Sequence, residues 1–210
     1  MTNALIAFEG DSRSVDTKLW AGRAVDYCSN QYGIEFNYLN NAVGGSTIGN
    51  MVDRASALDA EILADVANIL VVWIGVNSSG QTSSDLHTNI SNYCSARQTA
   101  GWYVALCTEI DAQDGIRDTD SWHTKYLELN TLIRANYTDY ADVLVDLGAV
   151  TQLQDATNTD WFTDSVHLTS EGYYAVQTEV LAVLAGGTPA HLSLSLRLAE
   201  IGTIIDNTTF

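Results

Sequence analysis

A chain of 210 residues, 46% of them apolar, is long enough to bury one sizeable core, and a single domain is the default expectation. Its 9 Lys and Arg against 26 Asp and Glu give a formal charge of −17, which repels phosphate backbones and anionic lipid and so argues against nucleic-acid and membrane-surface partners. No apolar run approaches the roughly 18 residues that a membrane span needs.

The first element is the short apolar run Ala4 to Phe8, which ends at Gly10. The start of the chain has no basic n-region and meets Glu9 after a few apolar residues, so it reads as a buried strand rather than a signal peptide. Synthesis in a cytosol is therefore expected, with a virion protein released by lysis also compatible. From Val15 to Tyr32 the apolar positions Val15, Leu19, Val25, Cys28 and Tyr32 recur at helical spacing. Glu35 to Val43 reads as a second strand closed by Gly44-Gly45, followed by a helical stretch that includes Leu58, Ile62, Leu63 and Val66. Asn68 to Ile74 is the most β-rich run and stops at Gly75. Ser84 to Ala100 reads as a helix and Trp102 to Cys107 as a fourth strand. The polar, Asp-rich segment Asp111 to Asp120 reads as a solvated loop that borders the substrate region, and a helix runs from about Ser121 to Tyr137. Val143 to Leu147 is a fifth strand. A long loop leads to Asp164, and Thr169 caps a last helix with Glu171 in its first turn and Tyr173, Val176, Val180 and Leu184 along one face.

Continuous apolar strands separated by helices indicate a parallel sheet covered on both faces, an α/β fold built as a three-layer α/β/α sandwich with five strands. Such sheets place their sites at the carboxyl ends of the strands. Ser12, Gly45, Asn77 and the loop beginning at Ile110 all follow strand ends, so they are expected on one rim. After Gly186-Gly187 the pattern changes: Leu192, Leu194, Leu196 and Leu198 alternate with polar residues, as in a strand. The expected organisation is one main domain over residues 1–187 and a strand-like C-terminal extension over 188–210. The extension is either an arm packed on the same domain or a contact to a homo-oligomer or larger assembly.

Cys28, Cys94 and Cys107 are odd in number and lack CxxC spacing, so neither a disulfide framework nor a zinc site is suggested. The spacing of Asp111, Asp114, Asp118 and Asp120 fails the EF-hand pattern, and no metal or other cofactor is expected. His87 and His123 fall on predicted helices and read as structural or surface residues, and His191 lies in the tail without an acid partner. The sequons at Asn77, Asn89, Asn136 and Asn207 carry little meaning without secretion.

The chemistry-bearing pattern is a pair of distant segments. Gly10-Asp11-Ser12 exposes a hydroxyl where the first strand ends, and Asp164-Ser165-Val166-His167 places an acid and a base three residues apart. Together these are the three parts of nucleophilic acyl transfer. Neither the Gly-x-Ser-x-Gly elbow, nor Gly-x-Gly-x-x-Gly, nor a P-loop, nor His-Glu-x-x-His occurs. With Gly45, within Asn41-Ala42-Val43-Gly44-Gly45-Ser46-Thr47, and Gly75-Val76-Asn77, the two segments make four ordered blocks. Their order resembles that of the SGNH, or GDSL-type, esterase and lipase superfamily, over residues 4 to about 185.

That resemblance implies a flavodoxin-like sandwich with Ser12 as nucleophile, His167 as base and Asp164 as its orienter. It implies an oxyanion hole made by the backbone N–H groups of Ser12 and Gly45 and the side-chain amide of Asn77. Two positions depart from the family pattern: Ser78 stands where an aspartate usually follows the asparagine, and Leu168 where proline often follows the histidine. Asp11, Trp161 and Phe162 are candidate substrate-lining residues, the two aromatics as an apolar or sugar-stacking wall. The expected substrate is a small acyl ester, foremost an acetylated carbohydrate, because the rim loops are polar and no long apolar lid is visible. Lipase, lysophospholipase and thioesterase activity are alternatives within the superfamily. The rival from another class is a non-catalytic carbohydrate-binding or structural module, for example in a phage tail.

Overall fold

The computed structural model describes residues 2–33 and 35–184, and the strand-like extension over 188–210, with His191 and the proposed domain boundary, lies outside the described residues. The chain order is β1 (Thr2–Gly10), α1 (Trp20–Tyr32), β2 (Glu35–Asn40), α2 (Ile48–Asp59), β3 (Ala67–Trp73), α3 (Ser83–Ala100), β4 (Tyr103–Cys107), α4 (Gly115–Thr119), α5 (Trp122–Asn136), β5 (Val143–Val145) and α6 (Ser170–Leu184). The five strands form one sheet in the order β2-β1-β3-β4-β5, and every pairing is parallel.

Alternation along the central strands assigns the two faces. Ala4, Ile6 and Phe8 of β1 and Ile69, Val71 and Trp73 of β3 pack with α1 and α6. Leu5, Ala7, Leu70 and Val72 point the other way, against α2, α3 and α5. A central strand buried on both faces has no polar side to keep, so β3 reads as one apolar run. This is the expected three-layer sandwich. Its strand order reverses between β1 and β3, and in doubly wound sheets ligands bind in the crevice opened there, outside the carboxyl ends of the strands.

Several boundaries differ from the sequence expectation. The helix expected from Val15 starts only at Trp20, because Leu19 adopts a left-handed conformation (φ 64°) that breaks it, and Leu19 is exposed. Trp20 is buried instead and donates through Nε1 to the Arg13 carbonyl. The second strand ends at Asn40 rather than Val43, and the next residues form the rim loop. Helix α2 ends at Asp59. Ile62 and Leu63 still pack on the core, but from a loop that Asn68 ties down by bonding both the N–H and the carbonyl of Leu63. The Asp-rich segment is not uniformly solvated. Asp111 is fully buried and accepts from Gln113 Nε2, the Ala156 N–H and His123 Nδ1, while the short helix α4 occupies the middle of the segment.

All three cysteines are free and buried, and burial pushes the thiols of Cys28 and Cys94 up to about 11 and about 12, which suits packing rather than reactivity. His87 meets the Tyr140 hydroxyl through Nε2, a structural contact. Among the described residues no helix is long and apolar enough to cross a membrane.

Candidate active site

Strands β1 and β3 are neighbours with Gly10 opposite Trp73, so the residues that leave their carboxyl ends meet at one rim. The turn after β1 must be glycine at its first position. A Cβ on Gly10 would lie 2.4 Å from the Trp73 carbonyl oxygen, closer than real Cβ atoms come. Asp11, fully buried, accepts from the Arg13 N–H at 2.9 Å and shapes the turn, which leaves Ser12 half-buried at the mouth.

Ser12 Oγ lies 2.8 Å from His167 Nε2, and His167 Nδ1 lies 2.7 Å from Asp164 Oδ2. A carboxylate oxygen can only accept, so Nδ1 carries the hydrogen and Nε2 presents its lone pair to the serine hydroxyl. The acid and base are held by their own short loop. Asp164 Oδ1 accepts from the N–H groups of Val166 and His167, Ser165 takes a left-handed φ of 60°, and the Thr163 N–H closes the loop on the His167 carbonyl. Partial burial of Asp164 works against ionisation, but the hydrogen bonds from the His167 and Val166 N–H groups and from the ring prevail and hold its carboxyl below the usual carboxylate range.

The second block arrives on the loop between β2 and α2. Gly45 has φ 76°, a conformation that strains any residue with a side chain. Thr47 then opens α2 through a capping box with Asn50. Buried Glu9 pairs with Arg54, and Arg54 Nη1 donates to Ser46 Oγ at 2.8 Å, so α2 fastens this loop to the end of β1. The third block is stitched to the second: Asn77 Nδ2 donates to the Ser46 carbonyl at 3.1 Å, and Ser78 Oγ accepts from the Ile48 N–H at 3.3 Å. Ser78 thus supports the start of α2 in spite of its departure from the family pattern. The N–H groups of Ser12 and Gly45 have no protein acceptor among the described residues.

These groups border an open cavity of about 430 Å³, whose walls among the described residues are Ser12, Gly44, Gly45, Asn77, Asp114, Arg117, Asp164 and His167, with Val166 the one apolar side chain among them. Three residues proposed as substrate-lining are elsewhere. Asp11 lies under the turn, with its carboxyl raised by burial and by none of its neighbours. Phe162 is packed in the core and Trp161 lies half-buried against it. Both aromatics follow from the loop's path: the 162–168 bridge turns Phe162 inward, under the loop that carries Asp164 and His167 rather than beside the cavity.

Sequence reasoning missed two arginines. Arg13 is fully buried. Its Nε donates to the Val166 carbonyl at 3.0 Å, its Nη2 to the Asp111 carbonyl at 3.2 Å and its Nη1 to Glu109 Oε2 at 2.9 Å. It therefore ties the turn that carries Ser12 to the loop that carries His167. Burial pushes the Glu109 carboxyl up to about 7, the charge of Asp11 adds to this, and Arg13 opposes it. Arg117 of α4 reaches Asn77 from across the cavity. A basic residue directly after the serine, in a chain with so few, was the available signal for the first. The second had none.

No family model matches the sequence, and no curated protein matches it significantly. Solved structures do match the fold. A member of the lipolytic protein G-D-S-L family from Veillonella parvula superposes with a TM-score of 0.69 at 19% identity, covering 87% of this chain and 98% of that one. An acetylxylan esterase from Geobacillus stearothermophilus gives 0.65 at 12% identity, over 86% of this chain and 93% of that one. The psychrotrophic esterase EstA from a Pseudoalteromonas species gives 0.60 at 17% identity, over 84% and 93%. The chain has the fold of the SGNH hydrolase superfamily.

Proposed function

We propose that this chain is a serine esterase that removes short acyl groups, acetyl foremost, from a polar alcohol such as a carbohydrate hydroxyl. The observation that carries the reading is the continuous Ser12–His167–Asp164 hydrogen-bonded chain, which opens into a cavity beside two backbone N–H groups that have no protein acceptor among the described residues.

In this reading Ser12 Oγ attacks the ester carbonyl carbon while its proton passes to His167 Nε2. Asp164 keeps the ring in the required tautomer and stabilises the imidazolium. The tetrahedral oxyanion takes hydrogen bonds from the Ser12 and Gly45 N–H groups and from Asn77 Nδ2, donors of a kind whose single loss costs about 10²–10³ in turnover. Collapse breaks the bond to the alcohol, which leaves with the proton from Nε2. A water then attacks the acyl-enzyme through the same base and frees the acid and the serine.

Support for a short acyl group comes from the walls: one buried valine is little apolar surface for a long chain. Support for a polar alcohol comes from the acidic and amide groups around it, and the acetylxylan esterase named above shares the fold. The test is hydrolysis of p-nitrophenyl esters of increasing length, together with labelling by a fluorophosphonate. Turnover should be highest on the acetate and be lost, with the label, in Ser12→Ala. Equal turnover by Ser12→Ala would remove the mechanism, and preference for a long acyl chain would remove the substrate reading.

A further inference from the structure

An asparagine serves as an oxyanion donor only if its NH2, and not its oxygen, faces the substrate. At Asn77 the neighbours decide this. Oδ1 accepts from Arg117 Nη2 at 2.6 Å, and one hydrogen of Nδ2 goes to the Ser46 carbonyl at 3.1 Å. The second hydrogen of Nδ2 has no protein acceptor among the described residues, on a side chain that lines the cavity. Turning the amide over would set its NH2 against a guanidinium and its oxygen against a carbonyl, two repulsive contacts in place of two hydrogen bonds.

The guanidinium is itself fixed. Asp114 Oδ2 accepts from Arg117 Nη1 at 2.7 Å, while Asp114 Oδ1 accepts from the N–H groups of Ile116 and Arg117 as the N-cap of α4. One carboxylate therefore starts the helix and aims the arginine. Partial burial opposes its ionisation, yet the Arg117 N–H, charge and side chain hold it below the usual carboxylate range, so the chain of contacts stays charged at neutral pH.

We infer that Arg117 is a positioning residue for the esterase reading above, orienting the Asn77 amide and strengthening its free N–H as an oxyanion donor. A cation on the amide oxygen favours the resonance form with negative charge on oxygen and positive charge on nitrogen. The remaining N–H becomes a stronger donor, the cooperative strengthening expected of hydrogen bonds in series at low dielectric. The effect grows as negative charge develops on the substrate, so it acts on the transition state more than on binding.

A cycle of Arg117→Met, Asn77→Ala and the double variant, assayed on p-nitrophenyl acetate, separates this role from a structural one. Arg117→Met should lower kcat about 10-fold with KM within about twofold, and the same change on the Asn77→Ala background should cost less than about twofold. Equal losses on both backgrounds, or an unchanged kcat, would overturn the inference. A second readout needs no turnover: the side-chain 15N–1H2 signals of Asn77, assigned by their loss in Asn77→Ala. In Arg117→Met they should move toward free-amide positions and exchange faster with solvent, and signals that stay in place would also overturn it. A wild-type chain that neither hydrolyses the ester nor takes a fluorophosphonate removes the esterase reading, and the amide signals still decide whether Arg117 holds Asn77.

Discussion

Replacing Arg13 by methionine should destabilise the protein in a strongly pH-dependent way. Arg13 and Glu109 form an ion pair at 2.9 Å, both about 1% exposed. Removing one partner of such a pair typically costs about 3–5 kcal/mol, because the other charge is left buried and uncompensated. Here the remaining charge has an escape, since Glu109 already titrates up at about 7.

The sign follows from linkage. A carboxyl whose folded value lies above its unfolded value of 4.5 binds its proton more tightly when folded, so stability is lost as pH rises from there to the folded value. In the wild type this loss stops near 7. Without Arg13 the folded value rises further and the loss continues at about 1.4 kcal/mol per pH unit. Between about pH 6 and about pH 8.5 the variant should therefore lose roughly 2 kcal/mol more than the wild type. The lost bonds to the Val166 and Asp111 carbonyls add a cost that does not depend on pH. Urea unfolding of both proteins at the two pH values measures the difference. An Arg13→Met penalty that is the same at both would refute the argument that Glu109 carries it. Adding Glu109→Gln to Arg13→Met should remove the pH dependence.

Two further outcomes follow from the site and the turn. Asn77→Asp trades the bond to the Ser46 carbonyl for an ion pair with Arg117 and places no donor in the cavity, so kcat should fall about 10²–10³ while the two changes in stability oppose each other and the melting temperature shifts by only a few degrees. A preserved kcat would take Asn77 out of the oxyanion hole. Gly10→Ala drives a Cβ to 2.4 Å from the Trp73 carbonyl at the carboxyl ends of the two central strands, and neither backbone can retreat without breaking the last strand pair. A loss of roughly 2–4 kcal/mol in denaturant unfolding is expected, and a loss under about 0.5 kcal/mol would show that the turn gives way easily.

The elements that could be read from the sequence are those set by local rules. Burial on one face of a helix or both faces of a strand imposes its period on residues close in the chain, so β3, α3 and α6 fall within a residue or two of expectation. Ends were harder to read. Leu19 breaks a helical pattern by adopting a left-handed φ that its side chain disfavours, because burying Trp20 outweighs the local preference. Phe162 and Trp161 looked like a wall because they precede Asp164, but only the path of the loop decides which side of it they face.

At the site, the sequence by itself determined which groups come together as candidates for the reaction. Ser12 ends the first strand, Asp164 and His167 sit one turn apart, and the asparagine and glycines follow strand ends, so chain order and strand direction already bring them to one rim. The tertiary structure alone decided what holds those groups in place. Ser12 and His167 meet across 155 residues through the buried fork of Arg13, and Asn77 is aimed by an arginine 40 residues away. Charges can be buried only when every partner is present at once, so their placement is a property of the assembled core and leaves no period in the chain.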